Sequence, residues 1–177
     1  YLPNGNLTDG VWCVSEMAND LGFKNGDIFL EADGEKIERF SDVPEKILLS
    51  EFVTIERDGV PSNIKIPIDV IDAFLKNNNQ PLFYPRIPSI VNTVIENSNA
   101  ERAGLKKNDI LIGINENPVK YHDEIKGELE KHKGEEITLF VNRDGEKISL
   151  LAKVGSDGKL GFAPSFLSLP QLEVLGY

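Results

Sequence analysis

The chain has 177 residues, 40% hydrophobic and 27% charged, a globular balance that excludes disordered, collagen-like and membrane-spanning compositions. Its 29 acidic residues outnumber 19 basic ones, for a net charge of −10, and this argues against a nucleic-acid partner, since phosphate binding draws on a basic surface that releases counterions. Cys13 is the single cysteine, so there is no intrachain disulfide and no cysteine-based metal cluster, and the redox compartment is left undetermined.

No run approaches the roughly 18 apolar residues of a membrane helix, and Tyr1 opens neither a signal peptide nor an initiator methionine. The sequence is therefore expected to be a piece of a longer protein. Asn6-Leu7-Thr8 matches a glycosylation sequon, too short a pattern to weigh. Residues 11–14 read as an apolar strand in which Cys13 is a buried, inert thiol. A short polar turn of helix and a glycine-containing turn follow, then a buried strand over residues 28–32 closed by Asp33-Gly34. Ser41 reads as the N-cap of a short helix with Pro44 in its first turn and Val43 and Ile47 on its inner face. Residues 51–57 and 63–66 form a hairpin around Asp58-Gly59. Residues 69–79 read as a short helix ending in an asparagine run, with Ile68, Ile71, Phe74 and Leu75 as its apolar positions.

The same order then recurs. The segment from Leu21-Gly22-Phe23-Lys24 to Asp27-Ile28 matches Ala103-Gly104-Leu105-Lys106 to Asp109-Ile110 at an offset of 82 residues, as Ala18 matches Ala100. Val53 to Gly59 matches Leu139 to Gly145 at 86 residues. Two copies indicate tandem domains, since a solenoid needs three or more repeats. In the second copy a strand over 90–95, a buried strand over 110–114 and a turn at Asn115 to Pro118 precede a helix whose stripe is Tyr121, Ile125 and Leu129, stopped by Gly134. Within it, Lys126, Lys131 and Lys133 interleaved with Glu128 and Glu130 read as a solvated face. Residues 136–143 and 147–153 form the second hairpin, around Asp144-Gly145, and Gly155 to Gly158 replace the extra helix of the first copy. Domain boundaries are expected at 1–85 and 86–166, with 167–177 an apolar tail broken by Pro170 and Gly176 that packs on the second domain or leads towards a membrane.

This order, with its paired Gly-x-Lys-x-x-Asp-Ile segments, resembles the circularly permuted PDZ domains of bacterial envelope proteases. The resemblance implies an α+β fold class: two PDZ-like domains in tandem, each a small, partly open antiparallel β-barrel or sandwich capped by two short helices. Lys159-Leu160-Gly161-Phe162 resembles the loop whose backbone N–H groups hold a peptide carboxylate in that family. The implied peptide-binding residues are Leu160, Gly161, Phe162 and Ala163 on the strand and His122, Ile125 and Leu129 on the helix. A sheet edge beside a helix is physically suited to that task, while a core-facing strand is the competing reading of the same residues. In the first copy Pro81-Leu82-Phe83-Tyr84-Pro85 occupies the corresponding place without a glycine, so it is not expected to hold a carboxylate.

Tyr1-Leu2-Pro3 before the first copy and Phe83-Tyr84-Pro85-Arg86-Ile87-Pro88 after it resemble, with the tandem, the extracytoplasmic insert of RseP-type site-2 proteases. That resemblance implies a regulatory region controlling substrate access to an intramembrane zinc metalloprotease, at the periplasmic face of the bacterial inner membrane. The implied partners are a membrane-anchored protein substrate or its C-terminal segment and the parent's transmembrane domain; the substrates are anti-sigma factors or signal-peptide remnants. The alternative is a peptide-binding module recognising C-terminal carboxylates, as in the tail of an HtrA-like serine protease or a scaffold.

No catalytic or metal-ligating residue is expected in this segment, nor a cofactor; zinc would belong to the parent protease. His122 and His132 stand ten residues apart with no HExxH around either, and both read as solvent-facing, His122 within reach of a groove-bound peptide. There is no Gly-x-Ser-x-Gly elbow and no Walker loop. The recurring Asp27 and Asp109 read as turn or cap residues that bond nearby backbone N–H groups.

Overall fold

The computed structural model describes residues 8–77 and 80–165. Expectations for Tyr1-Leu2-Pro3, the sequon asparagine, the end of the asparagine run and the tail lie outside them. The described residues divide into two compact units, 8–86 and 87–165, both mixed α and β. No described helix is long and apolar enough to cross a membrane.

The first unit runs β1 (Val11–Cys13), α1 (Glu16–Asp20), β2 (Ile28–Ala32), β3 (Glu35–Lys36), α2 (Val43–Leu49), β4 (Phe52–Arg57), β5 (Val60–Lys65), α3 (Val70–Lys76) and β6 (Phe83–Pro85). Its strands form one four-stranded sheet, in the order β3-β2-β4-β5, and a separate β1-β6 pair. Alternation in β4 turns Val53 and Ile55 inward, where both are fully buried. Asp58 and Gly59, both at positive φ (53° and 77°), make the tight turn that sets β4 against β5 from Phe52↔Lys65 to Arg57↔Val60. β5 begins at Val60, earlier than expected, because it is an edge strand whose Pro61 need not donate to a ladder on both sides. Phe23, Phe29 and Phe83 centre the core, their rings 5.0–5.4 Å apart in tilted and edge-to-face contacts.

Ser41 does not cap α2. A 3₁₀ turn over Phe40–Asp42 precedes the helix, so Ser41 sits inside that turn and its hydroxyl donates to Asp42 Oδ1 at 3.0 Å, while Asp42 takes the cap position. Pro44 falls in the first turn of α2, and Val43 and Ile47 are fully buried beneath it.

The second unit runs β7 (Val91–Val94), α4 (Asn99–Arg102), β8 (Ile110–Ile114), β9 (Asn117–Pro118), α5 (His122–Lys131), β10 (Glu136–Arg143), β11 (Glu146–Lys153) and β12 (Phe162–Pro164). Its sheets are β11-β10-β8-β9 and β12-β7, so each unit pairs a four-stranded with a two-stranded sheet. Glu124 starts α5 by accepting from the backbone N–H of Lys120 and Tyr121 at 2.7 and 3.0 Å. All three residues of the stripe are buried, and Ile125 and Leu129 share a core cluster with Leu111, Ile114, Leu139 and Leu160. The helix stops at Lys131, short of Gly134.

Asp27 and Asp109 are wholly buried, and each accepts the backbone N–H three residues earlier, from Lys24 and Lys106, at 2.8 Å. Each also receives both prongs of an arginine at 2.7 Å: Arg57 on Asp27, Arg143 on Asp109. The same guanidinium donates to a carbonyl of the glycine turn, Gly22 or Gly104. The repeat thus encodes one structural device twice, a clamp from the end of a hairpin strand onto the turn before the central strand. Hydrogen bonding to the aspartate raises the pKa of each arginine further above its already high value.

Candidate functional site

A groove in the second unit lies between β12 and α5 and encloses about 210 Å³. That is smaller than a typical small-molecule site and suited to one or two side chains. Leu160, Gly161, Phe162, His122, Ile125 and Leu129 all line it, joined by Ile95, Lys126, Gly158 and Lys159. The apolar members do not play equal parts. Leu160, Ile125 and Leu129 are 2%, 1% and 5% exposed and belong to the core, so they form the floor, while Ile95 stands 55% exposed at the rim. Ala163 falls outside the groove: β12 begins only at Phe162, and Ala163 pairs with Thr93 of β7 and is exposed.

The ladder explains which backbone groups face the groove. Ile95 N–H donates to Gly161 O at 2.9 Å, and Phe162 lies opposite Val94, so the β12-β7 bonds fall on either side of Phe162. By antiparallel alternation the N–H and C=O of Phe162 then point away from β7, to the open edge. Just before it, the carbonyls of Leu160 and Gly161 accept from Ala100 and Ile95, whereas among the described residues no acceptor engages the N–H of Leu160 or Gly161. Leu160, Gly161 and Phe162 thus offer three consecutive backbone donors, none engaged by an acceptor among the described residues, at one end of the groove, the makings of a small anion cradle of backbone origin.

Gly161 is required there twice over. Its φ is +94°, and a Cβ at this position would lie 2.4 Å from Ser98 Cβ. Ser98 presses so close because it is the N-cap of α4: its hydroxyl accepts from Glu101 N–H and donates to Gly161 O, both at 3.2 Å. The spacing Ser98-x-x-Glu101 is a capping signature legible in the sequence, but its contact with the loop is not.

His122 is not solvent-facing. A 2.9 Å hydrogen bond joins its Nδ1 to the hydroxyl of the fully buried Ser89, and its ring meets that of Phe162 edge-on at 6.1 Å between centroids. Burial, and secondarily the charge of Lys126, holds its imidazole below the ordinary pKa, favouring the neutral ring. His132 stands outside the groove, 2.8 Å from Glu135.

The corresponding edge of the first unit is built differently. Val14 N–H donates to Leu82 O at 3.0 Å and Cys13 pairs with Phe83, so Leu82 and Phe83 occupy the register positions of Gly161 and Phe162, and Pro81 that of Leu160. Pro81 has no N–H to offer, and Leu82 replaces the glycine with a buried side chain. The first unit also has a polar depression lined by Lys24, Glu56, Arg57, Asp58 and Arg86, in which Arg57 is already committed to Asp27. Among the described residues no group of three or more His, Cys, Asp and Glu side chains is placed to hold a metal ion.

Residues 90–143 match the PDZ domain family, so the second unit contains a PDZ domain. Among solved structures the chain is similar to an HtrA-type protease, AlgW, with decapeptide: 17% identity, 66% of this chain and 43% of that one covered, TM-score 0.36. It is also similar to a substituted form of that protease with decapeptide, at 14% identity, 68% and 44% coverage and a TM-score of 0.33. The chain thus spans less than half the length of either.

Proposed function

We propose that the second unit captures the free C-terminal end of a protein substrate, laid as an extra strand along β12 with its terminal side chain in the groove. The observation that carries this reading is the run of three backbone donors, Leu160, Gly161 and Phe162, without an acceptor among the described residues at one end of an apolar groove. A few backbone hydrogen bonds, each about 0.5–1.5 kcal/mol net, set against the ordering of a flexible peptide, favour weak, reversible capture. Titration with a short peptide ending in leucine, followed through the amide resonances of residues 160–162, tests it. Shifts that saturate with the free acid and are much smaller with the C-terminal amide are expected; no shifts at millimolar peptide, or equal shifts with the amide, would overturn it.

At the level of the parent protein, we place the chain as the regulatory region of an RseP-type intramembrane site-2 metalloprotease at the periplasmic face of the bacterial inner membrane. There it controls access of membrane-anchored anti-sigma factors or signal-peptide remnants, and zinc and the catalytic residues belong to the parent's membrane domain. The unequal edges favour this over a plain scaffold, because one carries a cradle and the other is filled by Pro81 and Leu82. Deleting both units from the full-length enzyme is expected to permit cleavage of untrimmed substrates; unchanged selectivity would refute the assignment.

A further inference from the structure

We infer that the groove of the second unit selects peptides whose terminal side chain is apolar and whose third residue from the end is acidic. This rests on the reading of the groove as a C-terminal peptide site and adds its ligand class.

In a chain of net charge −10, no aspartate or glutamate lines the groove, while two lysines do, Lys126 and Lys159. The other lysines of that run are paired: Lys131 Nζ stands 2.5 Å from Glu128, and Lys133, just past the helix end, 2.6 Å from Glu130. Lys126 is exposed and has no carboxylate within ion-pair distance among the described residues. Lys159 has only Asp157, at 3.9 Å. The run that reads in sequence as one solvated face is thus divided, with Lys126 alone turned to the groove.

The direction of the chain fixes which ligand residue meets it. A Cβ on Gly158 would touch Glu130 and Lys133 near the C-terminal end of α5, while Phe162 meets His122 at its N-terminal end. A peptide antiparallel to β12, with its carboxylate at Leu160 and Gly161, therefore runs from the Leu129 level towards the His122 level. Its side chains alternate, so the last and third-from-last share the face towards α5, about 6.7 Å apart along the strand. Along the helix Lys126 lies about 4.5 Å and His122 about 10.5 Å from Leu129, which brackets that position. The floor of Ile125, Leu129 and Leu160 takes the apolar terminal side chain, and the unpaired ammonium of Lys126 meets the acidic one.

The experiment uses the whole chain and hexapeptides ending in leucine, with Glu or Gln at the third position from the end, and a control with Glu at the second. At about 0.05 M salt the first Glu peptide is expected to bind about three- to fivefold more tightly than its Gln counterpart, an advantage that shrinks at about 0.5 M salt. Lys126→Met should reduce the ratio of the two affinities below about twofold, and Lys126→Glu should invert it. Equal binding of the Glu and Gln peptides by the native chain, an undiminished preference in Lys126→Met, or an equal gain from Glu at the second position would overturn this inference with peptide capture intact. Failure of every peptide to bind would overturn the capture reading and this inference together.

Discussion

Asp109 and Asp27 have no solvent-exposed side-chain surface, and among the described residues the charges that balance them are the guanidiniums of Arg143 and Arg57. Removing an arginine leaves a buried carboxylate with its backbone N–H bond and nothing else, a loss of about 3–5 kcal/mol for pairs of this kind. Arg143→Met is accordingly expected to lower the unfolding free energy of the second unit, read from the urea midpoint and slope, by that amount, with Asp109→Asn in the same background recovering part of the loss; a change under about 1 kcal/mol would show the clamp to be incidental. His122 makes a prediction of the opposite electrostatic kind. Its pKa in the folded chain is depressed below 6.5, so the unfolded chain takes up the proton first as pH falls. Stability should be unaffected by this group above about pH 6.5 and should decline below it, until the folded imidazole also protonates. Comparing urea midpoints at about pH 7.5 and 5.5 for the native chain and His122→Gln isolates the effect from carboxylate titration, and an identical pH slope in both proteins would exclude it.

The elements divide according to whether their determinants are local. Both hairpins could be read from the sequence because Asp58-Gly59 and Asp144-Gly145 set register within a few residues, and the α5 stripe because its period is unbroken. The start of β5 was hidden by Pro61, which only the edge position of that strand makes harmless. Ser41 misled because nothing local announces the 3₁₀ turn that enters α2. In the groove, the glycine loop and the helix were legible as types. The burial of His122 was not, since its partners Ser89 and Phe162 lie 33 residues before and 40 residues after it. Gly161 joins both levels. Alanine there meets a disfavoured positive φ, worth about 1–3 kcal/mol, and a collision with Ser98 that moves either the loop or the α4 cap. Gly161→Ala is expected to abolish peptide-induced amide shifts while the second unit stays folded by circular dichroism. Ser98→Ala, which loses only the cap and one bond to the loop, should weaken binding less. Retention of native affinity in Gly161→Ala would rule out the loop as the cradle.

For the whole chain, the consequence is a count of sites. Duplication alone would suggest two equivalent edges, and the two units do share, apart from α3, their element order, the arginine clamp and a serine N-cap ahead of the paired glycine turn. They part at the edge beside the groove helix. Pro81 removes the donor that Leu160 supplies, Leu82 puts a buried side chain where Gly161 leaves backbone exposed, and Phe83 is drawn into the aromatic core. A peptide carboxylate approaching the first unit would have to be desolvated against fewer N–H groups, and an unmatched buried charge is costly on the scale of the whole weak interaction. Calorimetric titration with a saturating leucine-terminated peptide is therefore expected to give one site per chain, with resonance shifts confined to the second unit and none at residues 80–84. A stoichiometry of two, or saturable shifts at Leu82 and Phe83, would show that the first edge opens to ligand. Binding at a single site would leave the first unit without a part in carboxylate capture, its edge closed by Pro81 and the buried Leu82.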